Sequence, residues 1–162
     1  MARDVSFITR IKVSNDDDFL EAINGNPSNA MLPGDVVEFV DANTVQAHST
    51  AAGTVLPLVV VMPNVATPDG EENNTSARVH YEVGDRVHLG VPEDGELWML
   101  RMPAGATIAF GDVLMSDGDG HVVTGTVDGT TVAGAIIGVA AESKDNSGST
   151  SPALVMTRIA RA

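Results

Sequence analysis

The chain carries 22 Asp and Glu against 9 Lys and Arg over 162 residues, and it has no cysteine. That length fits one domain able to bury a core without staples, and the missing thiols exclude disulfides, thiolate metal sites and cysteine nucleophiles. A formal charge of -13 repels phosphate backbones, so direct nucleic-acid binding is not expected. The longest apolar runs, "TVLPLVVVMP" and "TVAGAIIGVAA", fall well short of the roughly 20 residues with which a helix crosses a bilayer, and no membrane association is expected.

Residues 1–30 read as an extended N-terminal arm that needs a surface to lie on. "SFITRI" can pair as a short strand, "NDDDFLEAI" is a candidate for a helical turn capped by Asn15 or Asp16, and "NGNPSNA" is turn material. The arm's apolar side chains Phe7, Ile8, Ile11, Phe19 and Leu20 are candidate contacts with a partner.

From Met31 to the C-terminus the pattern is that of sheets, with short Val, Ile, Leu and Thr runs punctuated by Gly, Asp, Asn and Pro. Strands are expected at 36–39, 55–61, 77–81, 86–89, 97–101, 112–116, 121–124, 135–141 and 153–159. No window sustains a helical apolar period. The expected fold is therefore all-β, a compact β-barrel or β-sandwich over 31–162, with an exposed loop at 62–77 and a polar, mobile connection at 142–152.

Three strands begin with the same unit: "PGDVVEF" at 33–39, "VGDRVHL" at 83–89 and "FGDVLMS" at 110–116. Glycine there supplies positive φ or close approach, and the aspartate accepts a backbone N-H on the corner. "PEDGELWML" and "SDGDGHVVT" are looser echoes: a polar turn, a glycine, then a strand.

Sites of chemistry are poorly supported. "SDGDGH" has the Asp-x-Asp-Gly opening of a calcium loop but neither the later glutamate nor the flanking helices, so Asp117 and Asp119 are read as turn residues. His80 and His88 could share a hairpin face, yet His48, His80, His88 and His121 form no zinc signature. There is no Gly-x-Ser-x-Gly, and pairs such as Glu93 and Asp94 lie in polar turns where a raised pKa is not expected. No enzyme, metal or cofactor is expected. In "LWMLRM", Trp98, Leu100 and Met102 share one strand face and Leu97, Met99 and Arg101 the other. The segment is either core alone, or one face meets another sheet and the other another chain, and the second reading makes Trp98, Met99 and Arg101 candidate interface residues.

The segment 104–159 resembles the closing part of the small β-rich head decoration (capsid cement) proteins of tailed viruses. The matching pieces are Gly111-Asp112-Val113-Leu114, Gly120-His121-Val122-Val123, Ile137-Gly138-Val139-Ala140 and Leu154 to Ile159, with Glu82 to Gly90 similar to a preceding strand start. The resemblance implies a non-catalytic homotrimer on the outer capsid surface of a virion, bound to the major capsid protein and stabilising the shell against internal pressure. The acidic balance, with Lys12 and Lys144 the only lysines, suits either a halophilic host or docking on a basic surface. A rival reading is a carbohydrate- or partner-binding β-module of a virion spike or tail. It would want exposed aromatic platforms, and the chain has one Trp and one Tyr.

Overall fold

Two stretches of consecutive valine, Val36-Val37 and Val59-Val60-Val61, organise the structure, because a strand apolar at every position has to be covered on both faces. The computed structural model describes residues 20–25, 30–55, 58–62 and 81–161. In chain order its strands are β1 (Leu20–Asn24), β2 (Val36–Phe39), β3 (Thr44–Ala47), β4 (Val59–Val61), β5 (Arg86–Gly90), β6 (Leu97–Met102), β7 (Thr107–Ile108), β8 (Val113–Ser116), β9 (Val122–Thr124), β10 (Ile136–Ala140), β11 (Lys144–Asp145) and β12 (Ala153–Ile159). The first five close into a barrel in the order β1-β3-β2-β4-β5. A second sheet runs β6-β12-β10-β8-β9, and β7 pairs with β11. The fold is all-β, as the sequence pattern implies.

Strand parity divides the valines between two cores. Val37, Val59 and Val61 point into the barrel with Val45, Val87, Leu89 and Tyr81. Val36 and Val60 point the other way, into a layer shared with Trp98, Leu100 and Met102 of β6, Leu114 of β8, Ile137 of β10 and Val155 and Ile159 of β12. β2 and β4 are thus a common wall between barrel and sheet.

Several expectations change. The helical turn expected in "NDDDFLEAI" is, over Leu20–Asn24, a strand that pairs antiparallel with β5 and parallel with β3. A lone helical turn is marginal in water, whereas this segment gains backbone partners on two sides and buries Ala22 and Asn24. Residues 20–25 of the expected arm therefore belong to the barrel, while residues 1–19 and 26–29 lie outside the described residues. So does the loop expected at 62–77, apart from Met62, and so does the strand expected at 77–81, apart from Tyr81, which bridges to Met31. The polar segment 142–152 is not a loose connection: β11 pairs there with β7, and buried Asn146 donates from Nδ2 to Pro103 O and Ser151 O. β3, β7 and β11 were not expected as strands.

The three Gly-Asp units form one recurring corner. In each, the aspartate N-H bonds back to the carbonyl three residues earlier, Asp35 to Leu32, Asp85 to Glu82 and Asp112 to Ala109. Its carboxylate accepts the N-H of that same residue at 2.8, 2.8 and 2.9 Å. Gly34, Gly84 and Gly111 have φ of 94°, 90° and 88°, the geometry of a type II turn. "EDGE" at 93–96 is a fourth copy with a longer acid, since Glu96 Oε2 accepts the Glu93 N-H at 2.9 Å.

The four corners differ in what surrounds them. A Cβ on Gly111 meets open space, but one on Gly34 falls 2.8 Å from Leu154 Cδ2 and 3.0 Å from Met99 O. Gly111→Ala is expected to cost about 1–2 kcal/mol from backbone strain. Gly34→Ala is expected to cost about 1–2 kcal/mol more from overpacking. Urea unfolding midpoints of the two variants check the order.

Candidate functional site

The "SDGDGH" segment is the seam between the two halves. Asp117 folds the turn on itself: Oδ1 accepts the N-H of Asp119 at 2.8 Å and of His121 at 3.0 Å, and Oδ2 lies 3.2 Å from His121 Nδ1. Across the seam, Val36 N-H donates to Gly120 O and Ala52 N-H to Ser116 O, both at 2.8 Å. A Cβ on Gly118 would sit 2.8 Å from Ala51 N, so only glycine lets the turn lie this close to the barrel. Asp117 is a turn residue, and no group of three or more His, Cys, Asp or Glu side chains able to hold a metal occurs among the described residues.

His48 is buried beneath this turn. Its Nε2 lies 2.9 Å from Thr54 O and its Nδ1 2.8 Å from Ser116 Oγ. A carbonyl only accepts, so Nε2 carries a proton, and in the neutral imidazole Nδ1 accepts from the serine hydroxyl. The histidine is a structural tie between barrel and sheet. His80, expected to share a hairpin face with His88, lies outside the described residues.

A second polar group crosses the same seam. Asp35 and Arg101 are both buried, and Arg101 Nε stands 3.7 Å from Asp35 Oδ1, a separation too long for a hydrogen bond. Asp35 Oδ1 has no hydrogen-bond partner and is screened from water. Burial pushes the Asp35 carboxyl up to about 6, against the pull of the Leu32 N-H and of Arg101. Burial also pulls Arg101 below its ordinary range, against the field of Asp35. At His121, burial acts downward but the bond to Asp117 and the Asp35 charge outweigh it, and the imidazole titrates above its ordinary value. Asp117 moves the opposite way, its hydrogen bonds from His121 and the turn overcoming burial.

The candidate interface residues occupy different environments. Trp98 lies in the inter-sheet core at 6% exposure, its Nε1 donating to Glu96 Oε2 at 2.8 Å, and its ring covers Gly90 so closely that no Cβ fits there. It has little surface to offer another chain. Arg101 is buried at the seam, while Met99 is half-exposed. Phe7, Ile8, Ile11 and Phe19 lie outside the described residues, and Leu20 is placed only as the first residue of β1. Met99 faces outward with Leu97, and register sets Met156 opposite Met99 and Arg158 opposite Leu97. Val139 stands beside Arg158 and Val113 beside Val139. Except for the arginines, this outer face is half-exposed and apolar.

No family model matches the sequence, and no curated protein does. Among solved structures, the crystal structure of the head fiber gp8.5 N base of bacteriophage phi29 is similar. It aligns with a TM-score of 0.52 over 89% of this chain and 94% of that chain, at 18% identity. The two share a fold. The match runs nearly end to end on both sides, so it concerns the barrel and sheet together and not a common hairpin.

Two outcomes follow from the seam. Asp35 binds a proton in the folded protein that the unfolded chain releases as pH rises from about 4 to 6, so its contribution grows as pH falls. His121 contributes below its unfolded value and loses that contribution as pH rises through its raised folded value. Asp117 acts in the opposite sense, but its contribution is lost only in stronger acid. The protein is therefore expected to be more stable near about pH 5 than near about pH 8, by on the order of 2 kcal/mol, and Asp35→Asn to shrink the gap. Thermal melts across that range check this. Trp98→Ala is expected to cost about 3–5 kcal/mol of stability, read by chemical denaturation.

Proposed function

We propose that the protein is a structural component of a virion, the base module of a head fiber or spike that fixes the appendage to the major capsid protein on the outer capsid surface. The observation that carries this reading is the near full-length likeness to a head fiber N base. The described polar groups support a passive role: the corner carboxylates accept their own turns' N-H groups, and His48, Asp117 and Asn146 tie segments together. A carbohydrate-binding spike is less well supported, since Trp98 and Tyr81 are both buried and the exposed aromatics among the described residues, Phe39 and Phe110, are single rings on different elements. Partner binding suits the surface better. A base module that binds the assembled shell and not its dissociated subunits also stabilises the shell by linkage, so the cement role is a consequence of attachment. Self-association as a homotrimer belongs to the same proposal, as does a saline setting for so acidic a surface.

Residues 1–19, with Phe7, Ile8, Ile11 and Phe19, are assigned to contact with the shell. Antibody raised to the protein is expected to label the heads of particles purified from the source lysate. A chain lacking residues 2–19 keeps β1 and is expected to melt as a folded protein yet fail to co-sediment with shells. Absence of label from particles overturns the virion reading, and co-sedimentation of the shortened chain overturns the assignment of the arm.

A further inference from the structure

The described surface carries two exposed aromatic features of complementary chemistry. Phe110 stands on the corner before β8 at 74% exposure. With Val139, Ala140, Ala141 and Arg158 it lines a groove of about 220 Å³ at the outer face of the second sheet. The groove is apolar with Arg158 in its lining, and the carboxylate beside it, Glu142, is engaged at Oε1 by the Met156 N-H at 2.7 Å. The other feature is the tip of the β2-β3 hairpin, residues 38–43. Phe39 and Val40 are 39% and 56% exposed there, flanked by Glu38 and Asp41.

We infer that the Phe110 groove receives the hairpin tip of a second copy of this chain. Charge selects that occupant. Two copies of a chain at -13 repel each other over most relative orientations. The repulsion reverses where Arg158 of one copy meets Glu38 and Asp41 of the next. Pairing two grooves face to face would oppose two arginines, whereas groove on tip pairs opposite charges, and such a contact repeated from copy to copy closes into a ring when its rotation allows.

The tip is already set in one shape. Asp41 Oδ1 accepts the Asn43 N-H at 2.8 Å, Glu38 Oε1 accepts from Gln46 Nε2 at 2.7 Å and from Ser49 Oγ at 2.5 Å, and Val40 N-H donates to Thr44 O at 2.9 Å. A preformed tip loses little freedom on docking. A specific interface buries about 800 Å² per partner, more than a hairpin tip alone supplies, so the half-exposed Met99 and Met156 beside the groove are covered as well.

This inference deepens the self-association in the proposed function but is tested without any virion, on the purified full-length chain, so the two readings fail separately. Sedimentation equilibrium at about 0.15 M salt, which screens the long-range repulsion more than a close ion pair, and at about 100 µM protein is expected to show an oligomer. Arg158→Asp and Asp41→Arg are each expected to raise its dissociation constant about tenfold or more, and the two together to restore it to within a few fold of the original. Phe110→Ser, at an exposed position, is expected to abolish association without moving the melting temperature. A monomeric wild type, single variants that associate as the wild type does, or a double variant that recovers nothing while each variant still melts as a folded protein would each overturn the inference. A monomer would assign the groove to another occupant.

Discussion

The structure depends on a shared wall. β2 and β4 are four and three residues long, too short to hold an isolated sheet together, yet their valines bury both faces. One face completes the barrel and the other completes the sheet. Each buried valine contributes on the order of 1.5–3 kcal/mol, and because the five sit in one wall, neither half keeps its core without the other. Barrel and sheet consequently behave as one body, and the polar seam formed by "SDGDGH", His48 and the Asp35-Arg101 pair follows from bringing them together.

Acid residues serve two purposes in this body. At the corners a carboxylate accepts a backbone N-H that the turn would otherwise leave unmet, a local use that keeps the charge near water. At the seam Asp35 is taken out of water and is only partly compensated by Arg101 at 3.7 Å. Breaking such a pair leaves a buried charge without compensation, even where the intact pair adds little stability. Its effect is positional, since Asp35 and Arg101 fix the first barrel corner against β6, where Arg101 N-H also donates to Gly34 O at 2.9 Å.

Corner carboxylates that accept their own turns' N-H groups, with buried His48 and Asn146 tying segments together, fit a structural role better than a catalytic one. What such a body offers a partner is its surface, and against the acidic balance of the chain the outer face of the second sheet is apolar and carries Arg158. That contrast underlies the contact between copies inferred above, and the fold is the one shared with a head fiber N base.

The sequence by itself determined the class of fold and its corners. Period-two alternation and consecutive valines mark strands wherever they occur, and a glycine followed by aspartate specifies a turn because every atom of that corner lies within four residues. The weaker strands escaped it. β3 presents one buried valine in four residues, and β1 is made a strand only by partners at Thr44 and Leu89. Tertiary structure alone decided which face of "LWMLRM" is core, because parity sorts Trp98 from Met99 but does not say which side the barrel will cover. It alone joined Asp35 to Arg101 and His48 to Ser116, pairs 66 and 68 residues apart. Hydrogen bonds and charges act over a few ångströms in space, whereas sequence records neighbours along the chain, so contacts closed by packing become visible only once the wall between the two cores is in place.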